Sequence, residues 1–141
     1  MSEATGSLRQ RRARLLLMWS LASVASGVGL MLTGGDIGVP AVLRTVGFHF
    51  VIWGGIDLIF ALMGLRRDDG DPSDLIRILR FNERLNYVWV GAGLLMIALS
   101  VFALGWLGHG IGTLIQGGFL FWYDRTFRRA LERLTPPAAS R

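Results

Sequence analysis

The chain has no cysteine and no lysine among its 141 residues. The first absence excludes disulfides, thiolate metal sites, cysteine nucleophiles and haem attached through thioethers. The second leaves all fifteen basic residues as arginine, which reads as coding bias in a GC-rich genome. Histidine occurs only twice, short of the three or four protein ligands of a zinc site. No Ser/His/Asp arrangement, phosphate-cradling glycine loop or paired carboxylates for acid–base work can be found. The sequence therefore predicts no enzyme, no catalytic residue, no metal and no cofactor. Soluble character is lacking too: charged residues make up 18%, hydrophobic ones 52%, and mean hydropathy is +0.46. A chain of this length has no room for a separate folded domain beside its apolar runs.

Those runs are what is present. Four apolar stretches, Leu15–Leu32, Val42–Leu65, Leu85–Leu107 and His109–Tyr123, fill most of the chain. Each is near the roughly 20 residues a helix rising about 1.5 Å per residue needs to cross about 30 Å of hydrocarbon. The expected fold is all-α and polytopic: four transmembrane helices as two tandem hairpins in one integral domain. Residues 14–124 form the bundle, with basic tails at 1–13 and 125–141. The first stretch follows a basic segment but is long for a signal peptide, and no clear cleavage pattern follows it, so it reads as a retained helix.

The pI near 11.2 raises nucleic acid as a partner, and the placement of the arginines decides against it. Arg9, Arg11, Arg12 and Arg14 precede the first stretch. Arg66, Arg67, Arg77, Arg80 and Arg84 lie between the second and third, and Arg125, Arg128, Arg129, Arg133 and Arg141 follow the fourth. Only Arg44 falls on the other side. Four spans put those three segments on one face, which the positive-inside rule makes cytoplasmic, together with both termini. Attraction to anionic headgroups explains the basic excess, so the lipid bilayer is the expected partner.

Between the runs, Gly34, Gly35, Gly38 and Pro40 predict an external turn. A second external link at Gly108 is so short that the third and fourth helices must be antiparallel neighbours. In the cytoplasmic loop Asp71 can cap a helix that starts at Pro72 and has Asp74 in its first turn. Leu75, Ile76, Ile78, Leu79 and Phe81 then alternate with Arg77, Arg80, Glu83 and Arg84. This predicts a basic amphipathic helix at the headgroups between helices 2 and 3, or a straight extension of the third span. Residues 1–8 read as a disordered tail, and a second amphipathic segment, Arg125–Leu134, is ended by Pro136 and Pro137.

A two-helix repeat is visible. Gly27-Val28-Gly29-Leu30 parallels Gly91-Ala92-Gly93-Leu94, and Ile52-Trp53-Gly54-Gly55 parallels Ile115-Gln116-Gly117-Gly118. Small residues four apart, as in Ser23/Gly27, Ala25/Gly29, Gly108/Gly112 and Thr113/Gly117, let helices approach closely in lipid. These glycines and their small neighbours are the expected packing faces.

Asp57 is the most informative polar residue, because an acid at mid-span costs about 2.5–3.5 kcal/mol on insertion scales. His49, Trp53 and Asp57 recur every four residues on one helix face. His109, Thr113 and Gln116 make a similar stripe, and Asn82 and Asn86 stand at the cytoplasmic entry of the third helix. The stripe reads either as a polar path centred on Asp57 or, preferred, as a packing device in which Asp57 is bonded to Gln116, Trp53 or an asparagine. Two histidines facing each other across a bundle could in principle ligate a haem, but His49 and His109 are expected to differ in depth by a turn or more. Trp19, Trp89, Trp106, Trp122 and Tyr123 sit near span ends, as interfacial belt residues do.

The string Gly110-Ile111-Gly112-Thr113-Leu114-Ile115-Gln116-Gly117, followed by Phe119, Phe121 and Asp124, resembles a bacterial family of small four-helix membrane proteins known only as a domain of unknown function. The stretch Asn82–Gly93 resembles the same family. The resemblance implies an inner-membrane location, supplies no activity, and draws attention to Gln116 and Asp124. The expected role is a structural or accessory subunit that self-associates or joins a larger membrane complex. The alternatives are a small proton- or cation-conducting bundle centred on Asp57, and a haem- or quinone-binding redox subunit.

Overall fold

A computed structural model describes residues 3–66 and 71–135. Four α-helices account for nearly all of them: α1 Glu3–Thr33, α2 Gly38–Arg66, α3 Pro72–Leu99 and α4 Gly105–Leu134. Each hairpin packs along its length, α1 on α2 and α3 on α4. The hairpins join through α2 and α4, and α1 touches α4 over a shorter stretch. Chain direction makes α2 and α4 parallel, so residues at equal depth on them differ by about 60 in number.

Glycine sets the closeness of the α1–α2, α3–α4 and α2–α4 contacts. An added Cβ at Gly27 would lie 2.6 Å from the Gly47 carbonyl, and one at Gly47 would lie 2.6 Å from the Gly27 carbonyl. The second hairpin repeats this reciprocal crossing with Gly93 and Gly110, at 3.0 and 2.8 Å. Gly54 packs on Ser23 and the Ser20 carbonyl, Gly112 on His49, Gly108 on Thr45 and Gly117 on Trp89. Part of the expected packing set does not pack inside the monomer. Ala25 is exposed, and Gly29, Gly55 and Gly91 have open space where a Cβ would go. The inward counterpart of Gly27 is thus Gly93, two residues beyond the Gly91 that string similarity pairs with it.

Links and ends also differ from expectation. The link of the second hairpin lies at the same end of the bundle as the α1–α2 link, the outer end, and is Ser100–Leu104 rather than Gly108, which lies buried inside α4. Val101, Phe102, Ala103 and Leu104 carry no breaker, so hydropathy runs straight through this turn. It is built instead by the Ser100 hydroxyl donating to the Ile97 carbonyl at 2.6 Å, a local bond that competes with helix. In the first link, Gly38 supplies the left-handed backbone, φ 69°, and Asp36 pairs with Arg44.

The stretch 72–84 is no separate amphipathic helix. It is the first half of α3, continuous with the apolar half, because nothing between Arg84 and Leu85 interrupts the backbone bonds. The basic tails are likewise helical: α1 begins at Glu3 and α4 runs to Leu134. They are ordered by a core where all four helices meet, made of Leu16, Ala61, Leu79, Tyr123 and Phe127, with Leu8 and Leu75 packed against it. The expected roles of Arg67, Pro136, Pro137 and Arg141 lie outside the described residues.

Among the described residues, α1 and α2 are long and apolar enough to cross a membrane. In α3 the first half holds Arg77, Arg80, Glu83 and Arg84, and in α4 glycines, His109 and Gln116 dilute the run before Asp124.

The cap of α3 follows the sequence closely. Asp71 accepts from the Ser73 amide at 2.9 Å, and Pro72 occupies the first turn. The Ser73 amide holds the Asp71 carboxyl below the usual carboxylate range. Its folded pKa being depressed, the cap's contribution is present above the unfolded aspartate value and is lost as pH falls through the lower, folded one. In Asp71→Ala the amides of Ser73, Asp74 and Leu75 are expected to exchange hydrogen faster at neutral pH. Wild type should approach that rate only in strong acid; equal rates at neutral pH would remove the cap's role.

Candidate functional site

The polar residues of the bundle form one seam. On α2, Asp57 is 4% exposed, and on α4, Gln116 is 2% exposed. Gln116 Nε2 donates to Asp57 Oδ2 at 2.5 Å, the first of the partners that the sequence suggests. Gln116 Oε1 is enclosed without a donor. Thr113 is buried beside it, one turn toward the outer end.

One or two turns further out, His49 Nε2 and His109 Nδ1 are 2.8 Å apart, with the rings edge to face. This corrects the expected difference in depth. Parallel α2 and α4 bring residues 60 apart level with each other, and Gly112 lets the helices close onto the His49 side chain. Rings in direct contact leave no space for a haem plane between them. His109 is exposed and His49 half-buried, so the pair opens to the surroundings at the outer end.

Toward the inner end, Asn86 is drawn away from Asp57. Asn86 Nδ2 donates to Asp124 Oδ2 at 3.0 Å, and the Arg12 guanidinium stands 3.6 Å from Asp124 Oδ1. Arg12 also lies over the Tyr123 ring, while the Tyr123 hydroxyl donates to the Arg12 carbonyl at 3.0 Å. Beyond them Glu83 accepts from Arg128 at 2.8 Å, and Glu132 is reached by Arg128 and by Arg80. Burial alone pushes the Glu132 carboxyl up, but the Arg128 and Arg80 donors outweigh it and hold it below the usual range. The bond to Glu83 raises Arg128, which stays a fixed cation.

The aromatic residues divide. Trp106 and Trp122 are exposed. Trp19 instead stacks on Phe119 with centroids 3.8 Å apart, Trp53 meets Trp89 edge to face at 5.3 Å, and Tyr123 is 2% exposed. Phe119, Trp122 and Tyr123 pack on one another.

Structure therefore unites His49 with His109 and Asp57 with Gln116, with Trp53 and Thr113 lining the interval between the two pairs, and assigns Asn86 to a second cluster. Arg12 and Glu83 are inconspicuous in the sequence, since each looks like one more charge in a solvated cytoplasmic segment. Their sign is i, i+3 or i+4 spacing to inward-facing residues: Arg12 to Leu16, and Glu83 to Leu79 and Asn86. No family model, no curated protein and no solved structure matches the chain.

Proposed function

We propose that this is a four-span bacterial inner-membrane protein with both termini and the link between α2 and α3 cytoplasmic. In this reading it serves as a structural or accessory subunit that self-associates or joins a membrane complex. The membrane reading of α3 and α4 is supported by their inverted polarity. Their outward residues include Tyr87, Val88, Leu94, Leu95, Ile115 and Trp122, while Asn86, Thr113, Gln116 and Asp124 turn inward. An apolar exterior of that extent on a water-soluble protein would aggregate. Charge is one-sided as well, since the outer end carries only the Asp36–Arg44 pair among exposed apolar tips such as Ile37 and Phe102. The likeness to small four-helix membrane proteins belongs to this proposal.

The observation that carries an assembly role is the outward pair Ala25 and Gly29 on α1, with Gly55 on α2 and Gly91 on α3 also open. Among the described residues nothing uses these small residues, whereas a neighbouring transmembrane helix would. Native mass spectra in mild detergent should show multiples of 15.5 kDa or a co-purifying protein. Gly29→Ile should abolish that assembly and leave the monomer's melting unchanged. A monomeric, partnerless wild type would overturn the reading.

Topology has its own test, made clean by the absence of cysteine. Ser7→Cys and Ala130→Cys should resist a membrane-impermeant maleimide in intact cells, and Ile37→Cys and Phe102→Cys should react. Reaction at all four sites would remove the four-span arrangement.

A further inference from the structure

We propose that the outer half of the α2–α4 seam is a proton-binding site, in which Asp57 takes up a proton that enters from the outer end by way of the His109–His49 pair, with a water molecule held beside Gln116. It rests on the four-span reading only for the side of the membrane that the route faces; the chemistry of the site does not depend on it.

Gln116 supplies the first step. Its amide N–H is committed to Asp57, yet its Oε1 is enclosed with no donor, and an unmet buried acceptor costs about 1–3 kcal/mol. It lines a cavity of about 10 Å³ together with Thr113, Trp53 and Trp89. That is the lower limit of what one water molecule occupies, and such a water needs at least two polar partners. Gln116 Oε1 and the Thr113 hydroxyl are two. The cavity is too small for an organic substrate, so the ligand it suits is a water molecule and the proton it carries.

Charge supplies the second step. Of the buried acids, Asp124 has Arg12 and Glu83 has Arg128, but among the described residues no guanidinium pairs with Asp57. Beyond the Gln116 N–H, its charge is left for a mobile cation, and the smallest is a proton. The titratable neighbours are His49 and His109 toward the outer end, and Tyr123 and Asp124 with Arg12 toward the inner. From α3 the nearest polar side chain is the neutral Asn86, already bonded to Asp124.

Access supplies the third. Exposure falls steadily from His109 through half-buried His49 to Thr113, Gln116 and Asp57 at 4, 2 and 4%. His49 and Asp57 are eight residues apart, about 12 Å of helix, and the cavity lined by Trp53, Thr113, Gln116 and Leu120 adjoins this interval. On the inner side Ala61 and Tyr123 are fully packed. In this proposal a proton arrives on His109, passes to His49 across the 2.8 Å contact, and reaches Asp57 through water admitted along the seam past Trp53 and Thr113. Gln116 N–H stays on Oδ2. The proton leaves by the same route, so the seam binds a proton without conducting one.

Difference infrared spectra of the purified protein in mild detergent, recorded across a pH step, test the site. The expected result is a carboxylic-acid C=O band in wild type that is absent from Asp57→Asn, a variant that keeps the acceptor for Gln116. Gln116→Leu should shift the frequency of that band, which guards against Asp57→Asn failing to fold. Identical spectra from folded wild type and Asp57→Asn, or a band unmoved in Gln116→Leu, would overturn the proposal. In vesicles of known orientation a pH step on the outer side alone should produce the band, more slowly in His109→Phe. A band that answers only to the inner step would overturn the outward route.

Discussion

Gly47→Leu is expected to be among the most damaging single substitutions in the protein, while Gly55→Leu on the same helix should be nearly silent. At Gly47 the first added carbon would meet the Gly27 carbonyl at 2.6 Å and the Leu30 Cβ at 2.9 Å. One of these is backbone and the other is the stem of a side chain, so neither can swing aside. Relief requires α1 and α2 to separate, and the separation would run the length of a hairpin that also depends on Gly54 against Ser20 and Ser23. Overpacking of a tight core costs about 1–3 kcal/mol, and with backbone as the obstacle the upper end is expected. At Gly55 nothing lies within 4 Å, and an exposed change of this kind stays within about 0.5 kcal/mol. Thermal melts followed by circular dichroism in one detergent would compare the two. Equal losses would mean that helix propensity rather than interhelical distance governs these glycines.

The contrast also marks what is legible in the sequence. Helix number, the α2 start beyond Gly34 and Gly35, and the Asp71 cap of α3 can be read because each rests on local chemistry. Asp57 with Gln116 is readable because an acid in the middle of an apolar helix needs a partner and few exist. Which glycines face inward is not readable, since Gly27 and Gly29, or Gly91 and Gly93, differ only by a rotation about the helix axis that tertiary packing sets. The end of α3 at Leu99 is hidden for a related reason: an apolar turn tip looks like apolar helix. The level contact of His49 with His109 is hidden as well, because depth counted from hydropathy starts the fourth helix at His109, whereas α4 begins at Gly105.

Arg12→Met should destabilise the protein by more than Arg12 itself contributes. Asp124 is 3% exposed, and in wild type its two oxygens are met by Asn86 and by the guanidinium. Truncating the cation leaves a buried carboxylate with one amide donor. Breaking a buried ion pair from one side costs about 3–5 kcal/mol, mostly the penalty of the orphaned charge. Arg12 retains some exposure, 24% of its side chain, so water can reach the gap and the lower end of that range is expected. Adding Asp124→Asn in the Arg12→Met background removes the charge and keeps a side-chain oxygen for Asn86. The double variant should therefore recover most of the loss, and Asp124→Asn alone should cost less than Arg12→Met. Chemical or thermal unfolding of the four proteins closes the cycle. Additive losses would show that the two residues act separately, Arg12 through its stacking on Tyr123 and Asp124 through Asn86. Strong coupling would instead make this cluster the joint that fixes α1 to the second hairpin.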